Sequence, residues 1–416
     1  MERRLSPAEA SPGATPPRTG TARRPVAMIV HSYYDEDPRV RREAESLVAS
    51  GRPVDVFGLR RPDDEPRAVL NGVNVRRLDV QRHQGAGLGT YLREYVAFLF
   101  RAGWAVLRAH RRRRYALVQV HTLPDFLVAA ALPLRLRGVP VVLDLHEAMP
   151  EFFRSRFPRA ANPIFHRLLL LQERASIALA TAAVTVNEAM RERLVALGVP
   201  PDKVSVVANS PSLGRFDAAR YPPRTFAEDG TIRLVYAGAL TPTYELDVAL
   251  DALANLRRDR PDLEISFDVY GRGDAAERLI EQATVLQLGE RVTFHGRIPI
   301  DDVPAAIGRA DIGLAPTRRD AFTDVSLSTK VFEYAAMGKP VVASRLPMVE
   351  RTFPEGSVAT YEPGDAASLA AAIARLIDDH AARDQAVEAA AAVVREASWE
   401  GEAVRYVGLV ERLIGR

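Results

Sequence analysis

Residues 312–344 read IGLAPTRRDAFTDVSLSTKVFEYAAMGKPVVAS, with a short apolar strand pattern at each end and a helical pattern between them. The helix opens at Ser328 or Thr329, whose side chains suit an N-cap. It ends at Gly338, and Pro340 follows before the second strand begins. A strand, a helix and a second strand in this order are typical of parallel neighbours in a covered sheet. The stretch therefore predicts one crossover unit of a doubly wound α/β domain.

The same alternation continues on both sides of this unit. In the first half of the chain the predicted strands cover 26–30, 54–59, 73–78, 117–121, 139–145, 183–186 and 204–208. In the second half they cover 232–236, 265–270, 292–295, 312–315, 341–343 and 358–361. Ligands of such sheets bind beyond the carboxyl ends of the strands. The expected fold class is α/β, with two Rossmann-like doubly wound domains that face each other across a cleft.

Changes in pattern mark the expected domain boundaries. Residues 1–24 are polar and rich in Pro, Gly and Ala, which predicts a disordered leader. An aperiodic, proline-containing stretch places a linker at 211–230. The N-terminal domain then covers 25–210, and the C-terminal domain covers 231–396. Residues 397–416 have the apolar spacing of a last helix, which we expect to pack back toward the N-terminal domain.

Composition excludes several classes of protein. The 416 residues carry a formal net charge of only +3, so we expect no nucleic-acid partner. The chain has no cysteine, which excludes disulfide frameworks, thiolate metal sites and cysteine nucleophiles. No apolar run reaches the ~18 residues needed to span a bilayer, and the first residues lack the apolar core of a signal peptide. We expect a cytoplasmic protein.

One basic and aromatic segment has two interpretations. Residues 91–107 contain several aromatic side chains, and residues 108–114 read RAHRRRR. Such a segment is typical of a helix whose basic face is exposed to solvent and whose aromatic residues pack into the core. It also suits a peripheral contact with anionic lipid at the inner face of a membrane.

The start of the helix near residue 328 is the main candidate binding site. Free backbone N–H groups and the positive end of the helix dipole attract anions there, and a diphosphate fits this chemistry. Lys330 in the first turn opposes the dipole, and a bound anion explains its position. Glu333, one turn further on, can accept two hydrogen bonds from ribose hydroxyls. The alternative is an ordinary helix-to-strand connection in which Lys330 and Glu333 form a surface pair.

Glycines follow two strands of the second half. Gly238 comes after the pattern at 232–236, while Gly271, Arg272 and Gly273 come after Tyr270. Glycine allows a ligand to approach the backbone closely, although a tight turn explains each glycine equally well. Neither segment matches a dinucleotide fingerprint. Two such positions in adjacent crossovers of one domain favour a ligand at this place.

Three histidines end strand patterns in the first half. His31, His121 and His146 each lie at or just beyond a predicted strand, and Glu147 follows the last of them. Metal ligation is one interpretation, but no zinc motif such as HExxH is present. We favour hydrogen bonds to sugar hydroxyls. The acidic run at 35–37 reads DED and is similar to a metal-binding DxD motif. We interpret it as a solvated loop, because turn-forming Asp and Pro residues explain it without a metal.

Taken together, these residues and four longer segments resemble the GT-B glycosyltransferases of family 4, which are retaining enzymes. The segments are 37–56, 121–157, 182–211 and 311–344, and they are most similar to the bacterial polysaccharide-biosynthesis type. The resemblance implies a hexosyltransferase that uses a nucleotide-diphosphate sugar as co-substrate. It implies a glycan or lipid-linked acceptor, with no cofactor and no metal.

The resemblance also assigns roles residue by residue. Glu333 matches the second of two family glutamates eight residues apart, which contacts the ribose, whereas the first falls at Val325. The family's diphosphate-binding Arg and Lys fall at Ala239 and Tyr244. His146 matches an acceptor-side histidine near the reacting centre.

Lys330 is the expected replacement for the missing cations, helped by Arg318 or Arg272, and Asp320 or Asp324 could replace the missing glutamate. The expected catalytic residues are therefore His146 and Lys330. The expected donor-binding residues are Gly238, Tyr270, Gly271, Arg272, Gly273, Ser328, Thr329, Lys330 and Glu333, and the acceptor-side residues are His31, His121, His146 and Glu147. Two alternatives remain: a nucleotide-sugar epimerase on the same fold, and a catalytically degenerate scaffold in a polysaccharide-assembly complex.

Overall fold

The computed structural model describes residues 23–81, 88–157, 162–222 and 224–415. The predicted leader therefore lies outside the described residues up to position 22. Its last two residues are described, and Arg24 donates hydrogen bonds to the backbone oxygens of Arg114 at 2.8 Å and Tyr115 at 3.0 Å.

The first sheet contains eight strands from the first half of the chain. They are β1 Val26–Ile29, β2 Val54–Leu59, β3 Arg67–Leu70, β4 Val73–Leu78, β5 Leu117–His121, β6 Val141–Leu145, β7 Ala182–Thr185 and β8 Val204–Val206. Their order is β3-β4-β2-β1-β5-β6-β7-β8, and only β3 runs antiparallel to its neighbour. The doubly wound architecture expected from the sequence is confirmed in this half.

The second sheet contains six strands, all parallel. They are β9 Thr231–Ala237, β10 Glu264–Tyr270, β11 Val292–Gly296, β12 Ile312–Ala315, β13 Val341–Ser344 and β14 Ala359–Tyr361. Their order is β11-β10-β9-β12-β13-β14. The chain thus has two Rossmann-like sheets, as predicted.

Helices cover both faces of each sheet. Those of the first half are α1 Pro38–Ala49, α2 Leu88–Arg113, α3 Leu132–Arg135, α4 Met149–Arg156, α5 Pro163–Leu179 and α6 Glu188–Ala196. Those of the second half are α7 Leu246–Asp259, α8 Ala276–Val285, α9 Val303–Gly308, α10 Thr329–Ala336, α11 Pro347–Thr352, α12 Ala366–Asp378, α13 His380–Glu396 and α14 Trp399–Ile414. Within the described residues, none of these helices is long and apolar enough to cross a membrane.

Strand β3, which forms a hairpin with β4, is absent from the predicted strands. Asn71 and Gly72 join the two strands, and both have positive φ angles, 50° and 79°. This is the backbone of a tight hairpin turn, for which Asn-Gly is the strongest local signal. Strand β3 itself alternates between exposed and half-buried residues at the sheet edge, so its apolar pattern is weak.

The last helix returns to the first sheet. Trp399 and Tyr406 of α14 are buried in the same cluster as Val40 and Leu47 of α1. The Tyr406 hydroxyl donates to Gln119 of β5 at 2.6 Å. The C-terminal helix is therefore part of the N-terminal core, although it follows the second sheet in sequence.

The carboxyl ends of the strands of both sheets border one cleft. Residues after β6 and β7 line one wall, and residues after β9, β10 and β12 line the other. Its volume is about 870 Å³, which is within the range of sites for small molecules. Most of the predicted site residues line this cleft.

Candidate active site

Helix α10 starts on the C-terminal wall of the cleft. Ser328 occupies the N-cap position, as predicted, but its hydroxyl makes no capping bond. Its Oγ is buried and has no partner among the described residues. The amides of Thr329 and Lys330 lie in the first turn, where no intrahelical acceptor exists. The helix start therefore offers unpaired donors and the positive end of a dipole to the cleft.

Lys330 is buried against two tyrosine rings. Only 7% of the residue is exposed, which excludes the surface pair with Glu333. Its Nζ lies 3.7 Å from the ring centroid of Tyr244 and 5.1 Å from that of Tyr236. No salt bridge joins it to a described carboxylate at 4.0 Å or less. Burying an ammonium without a carboxylate partner costs folding free energy, and an anion bound in the cleft would offset that cost.

Tyr244 stands where the family pattern has a diphosphate-binding lysine. The ammonium of Lys330 lies directly over its ring, so the cation of α10 reaches the region that the missing lysine would serve. A Cβ at Gly238 would lie 2.2 Å from Cε of Lys330. Glycine at 238 leaves room for the end of this side chain, which a larger residue would displace, and that reason differs from the close ligand approach expected there.

The glycines after β10 also have an intramolecular reason. A Cβ at Gly271 would lie 1.8 Å from the backbone oxygen of Gly238, and a Cβ at Gly273 would lie 2.0 Å from that of Leu240. These two glycines let the loops after β9 and β10 pack together. Tyr270, Gly271 and neighbouring Arg272 line the cleft, but Gly273 does not.

Glu333 faces the cleft one helical turn after Lys330. Burial raises the pKa of its carboxyl, while Lys330 and Arg42 oppose that rise. The residue is half-buried, so its oxygens remain within reach of a ligand.

His146 belongs to a buried network on the opposite wall. Its Nε2 lies 2.8 Å from Oδ2 of Asp144, and Nδ1 of His121 lies 2.9 Å from the same oxygen. Burial lowers the pKa of His146 and outweighs the opposing charge of Asp144. The imidazole is therefore neutral near pH 7. Its Nδ1 is buried and has no partner among the described residues.

A group of three potential metal ligands coincides with this network. The ligand atoms of His121, Asp144 and His146 lie within 4.8 Å of one another. Their separations of 2.8–3.1 Å are also hydrogen-bond lengths. Although burial opposes its ionisation, the two histidines hold the pKa of Asp144 well below its usual range.

Two of the predicted acceptor-side histidines do not reach the cleft. His121 is fully buried in the network described above. His31 packs edge-on against Tyr95 and Phe98 of α2, with ring centroids 4.7 and 5.1 Å away. The prediction that these two histidines contact sugar directly is therefore wrong. Helix α2 covers His31, and β6 with the residue that follows it covers His121. His146 and Glu147 do line the cleft.

Val325, at the position of the missing glutamate, contacts the other domain. Its backbone oxygen accepts a hydrogen bond of 3.0 Å from Asn187, and its side chain packs against the N-terminal core. Nearby, the rings of Phe322 and Phe152 lie 5.3 Å apart across the cleft. This loop joins the two lobes instead of presenting a carboxylate to a sugar.

The suggested substitute residues are also engaged elsewhere. Asp320 accepts a hydrogen bond of 2.5 Å from Ser155 of α4. Asp324 pairs with Arg319 at 3.3 Å, and Arg318 lies 4.0 Å from Glu245. None of Asp320, Asp324 and Arg318 is among the cleft-lining residues of the described chain.

Glu36 connects the lobes at the mouth of the cleft. It pairs with Arg272 at 3.4 Å and also with Arg297, both from the C-terminal domain. Burial opposes its ionisation, but hydrogen bonds from Arg297 and Arg61 hold its pKa below the usual value. The predicted donor-side Arg272 thus has a carboxylate partner in this conformation, unlike Lys330.

Several cleft residues were not predicted from the sequence. Arg42 of α1 donates to the Ser210 backbone oxygen and to Asn209, and it lies 5.2 Å from the Trp399 ring. Burial lowers its pKa to about 10. Thr317 lines the cleft with a buried hydroxyl that lacks a partner among the described residues. Arg42 lies within the quoted segment 37–56, but only the fold reveals that it contacts the two residues that precede the predicted linker.

Comparisons with known proteins agree with this geometry. Two family profiles match: Glycosyl transferase 4-like domain at residues 37–210, and Glycosyl transferases group 1 at residues 231–379. Glycogen synthase of Mycobacterium tuberculosis is 27% identical over 363 residues, which cover 83% of each chain.

Two solved structures share the architecture. Sucrose-phosphate synthase from Thermosynechococcus elongatus has a TM-score of 0.78 at 18% identity, covering 94% of this chain and 100% of that chain. Anabaena HepE in complex with UDP-glucose has a TM-score of 0.68 at 15% identity, covering 93% and 99%. Family 4 and a retaining reaction are consistent with these matches. With its two matched domains and its paired Rossmann-like sheets, the chain belongs to the GT-B glycosyltransferases.

Proposed function

We propose that this enzyme transfers a hexosyl group, with retention, from a nucleoside-diphosphate sugar to a hydroxyl of a glycan or lipid-linked acceptor. The observation that carries the proposal is Lys330, a buried ammonium over Tyr244 with no described carboxylate partner at the start of α10. A diphosphate supplies the missing negative charge. The UDP-glucose bound by Anabaena HepE supports the class of donor.

The donor is proposed to bind along α10. Its diphosphate accepts hydrogen bonds from the amides of Thr329 and Lys330 and from the Lys330 ammonium. Its ribose hydroxyls donate to Glu333, one turn further along the helix. The buried hydroxyl of Ser328 lies at the same helix start and can donate to a phosphate oxygen. The base then extends toward Tyr270 and Arg272 at the mouth of the cleft.

The reaction breaks the bond between the anomeric carbon and the leaving phosphate oxygen. Negative charge grows on that phosphate, and Lys330 with the α10 amides stabilises it. The acceptor oxygen attacks the same face of the sugar and forms the new bond, while its proton passes to the leaving phosphate oxygen. Neutral His146 is proposed to hold a sugar hydroxyl through its unpaired Nδ1. Atoms and charge balance without a further reactant.

The proposal assigns charge neutralisation to Lys330 and requires no metal. It therefore predicts that transfer continues after dialysis against EDTA and is not stimulated by Mg²⁺ or Mn²⁺. The network of His121, Asp144 and His146 then acts through hydrogen bonds. Loss of transfer in EDTA, restored by Zn²⁺, would instead assign the network to a metal.

A panel of nucleotide sugars tests the proposal directly. A donor at 100 times its dissociation constant stabilises the folded protein by about 2.7 kcal/mol, which a melting experiment detects. The selected donor is then incubated with the protein and with candidate acceptors. Product formation only when an acceptor is present supports transfer.

The two alternatives give different results. An epimerase would convert the donor without an acceptor, as followed by nuclear magnetic resonance. A scaffold would bind no nucleoside diphosphate at all. The comparisons give no support to either alternative. We also propose that the enzyme is cytoplasmic and acts at the inner face of a membrane. Fractionation of cells into soluble and membrane parts tests this location.

A further inference from the structure

Exposed apolar side chains concentrate on one layer of the N-terminal domain. This layer contains α2, the segment 125–131, α3 and α5, which all cover the same face of the first sheet. Thirteen large apolar residues of the described chain are exposed, and nine of them lie here. The nine are Leu92, Val96, Phe100, Trp104, Leu136, Ile164, Leu168, Leu171 and Leu179. A concentration of this kind marks an interaction surface.

Helix α2 presents the aromatic part of this surface. Phe98 and its inward neighbours are buried, while Phe100 is 69% exposed and Trp104 is 64% exposed. The sequence-based expectation that these aromatic residues pack into the core therefore holds only for Phe98. Close packing of Gly103 on Ala130 fixes the orientation, since a Cβ at 103 would lie 3.2 Å from the Ala130 oxygen.

Helix α5 repeats the pattern with aliphatic residues. Ile164, Leu168 and Leu171 are exposed at the spacing of one helical face. Arg167 and Arg174 lie exposed on the same helix. The sequence analysis did not single out this helix.

The charge of the surface has one sign. The only carboxylates of α2 and α5 are Glu94 and Glu173, and both are buried. The exposed arginines are Arg93, Arg101, Arg108, Arg111 and Arg112 of α2, together with Arg167 and Arg174 of α5. None of these seven forms a salt bridge at 4.0 Å or less with a described residue. An apolar helix face that is flanked by arginines without carboxylate partners among the described residues is suited to bind anionic lipid.

A groove of about 590 Å³ adjoins Trp104. It lies between the C-terminal half of α2 and the hairpin β3-β4, and its lining contains no carboxylate. The free arginines that face it are Arg67, Arg108, Arg111 and Arg112. Its size and charge fit phosphate headgroups, and the indole beside it suits the interface between headgroups and acyl chains.

We propose that this surface, hereafter the α2/α5 surface, docks on a bilayer that contains anionic phospholipid. A second copy of the chain is a poorer occupant, because a two-fold interface would set each arginine fringe against its own copy. The surface is continuous with neighbouring elements of the N-terminal domain: α2 contacts His31 beside β1, and Phe165 of α5 lies 4.8 Å from Phe153 of α4.

The full chain is tested with vesicles of phosphatidylcholine alone and of phosphatidylcholine mixed with phosphatidylglycerol. We expect flotation with the mixed vesicles, and loss of binding in high salt as screening weakens the attraction. The chain has two tryptophans, and Trp399 is buried, so Trp104 should report contact. Its emission should shift to shorter wavelength and be quenched by lipids brominated on the acyl chain.

Variants identify the surface. Arg108→Gln/Arg111→Gln/Arg112→Gln should weaken binding by about fivefold per arginine, and Leu168→Ser/Leu171→Ser by about tenfold per leucine. The matched control Ile280→Ser/Val285→Ser changes two exposed apolar residues of α8 in the other domain and should leave binding unchanged. Melting of each variant with nucleotide sugar shows that the fold and the donor site are intact.

Several results would overturn the proposal. They are absence of wild-type flotation with anionic vesicles, equal binding by all variants, and a dimer in light scattering that Leu168→Ser/Leu171→Ser dissociates. Inorganic phosphate that binds the groove while vesicles leave Trp104 emission unchanged would assign the groove to free anions. The vesicle assay contains no donor, so its failure leaves the proposed transfer reaction untouched, and the reverse also holds.

Discussion

Replacing Lys330 by methionine tests the proposed charge stabilisation most sharply. The change keeps the aliphatic stem that passes Gly238 and removes only the ammonium over Tyr244. Two opposite charges 4 Å apart interact by about 4 kcal/mol at an effective dielectric of 20. Loss of a preorganised donor to a developing anion typically costs ~3 kcal/mol. We therefore expect turnover to fall by about 100-fold or more.

The stability of the variant should change far less. The contact with Tyr244 contributes about 2 kcal/mol in a desolvated site, and removal of a buried charge offsets much of it. The assay is the initial rate of sugar transfer, with the free energy of unfolding measured in parallel. Lys203→Met is the control, because the Lys203 ammonium donates to the backbone oxygen of Ala178 and the residue is not among those that line the cleft. Near-normal turnover of Lys330→Met in a stable protein would refute the reasoning.

Three further substitutions probe the same cleft. Glu333→Gln should weaken donor binding about 10- to 100-fold with a smaller effect on kcat, since a hydrogen bond to a charged group contributes about 1.5–3 kcal/mol; an unchanged KM for the donor would exclude the ribose contact. Asp144→Asn should lower the pKa of His146 further, because the Asp144 charge raises it. The acid limb of the kcat/KM profile, where His146 becomes protonated, should then move to lower pH, and an unmoved limb would disprove the coupling. Gly238→Ala should reduce transfer as Lys330→Met does, because the new Cβ would displace Lys330 Cε; wild-type rates would show that the ammonium position is unimportant.

Local apolar patterns predicted the strands well. The bounds of β2, β4, β5 and β12 coincide with the predicted ranges, because buried parallel strands form short β-branched runs between turns. The hairpin strand β3 was missed because it lies at an exposed edge, although Asn71-Gly72 was a readable signal. The parallel sheets and the two-domain arrangement followed from the alternation of strands with helices, whereas the order of the strands was not predicted.

The site was only partly readable from the sequence. The start of α10 could be predicted because a cap, a cation and a carboxylate lie within six residues of one another. The cation–π contact of Lys330 with Tyr244, and the bond from Asn187 to the Val325 oxygen, join distant parts of the chain. Such contacts depend on how elements pack, which periodicity does not encode. For the same reason the sequence could not show that His121 is buried. Its network includes Asp144 of β6, and Gln119 beside it accepts a hydrogen bond from Tyr406 of α14.

A crystal structure of the protein with a bound nucleoside diphosphate tests the central claim most directly. The account predicts phosphate oxygens within hydrogen-bond distance of the Thr329 and Lys330 amides and of Lys330 Nζ, with both ribose hydroxyls on Glu333. A diphosphate bound on the N-terminal wall, or one whose phosphates lie away from α10, would contradict it.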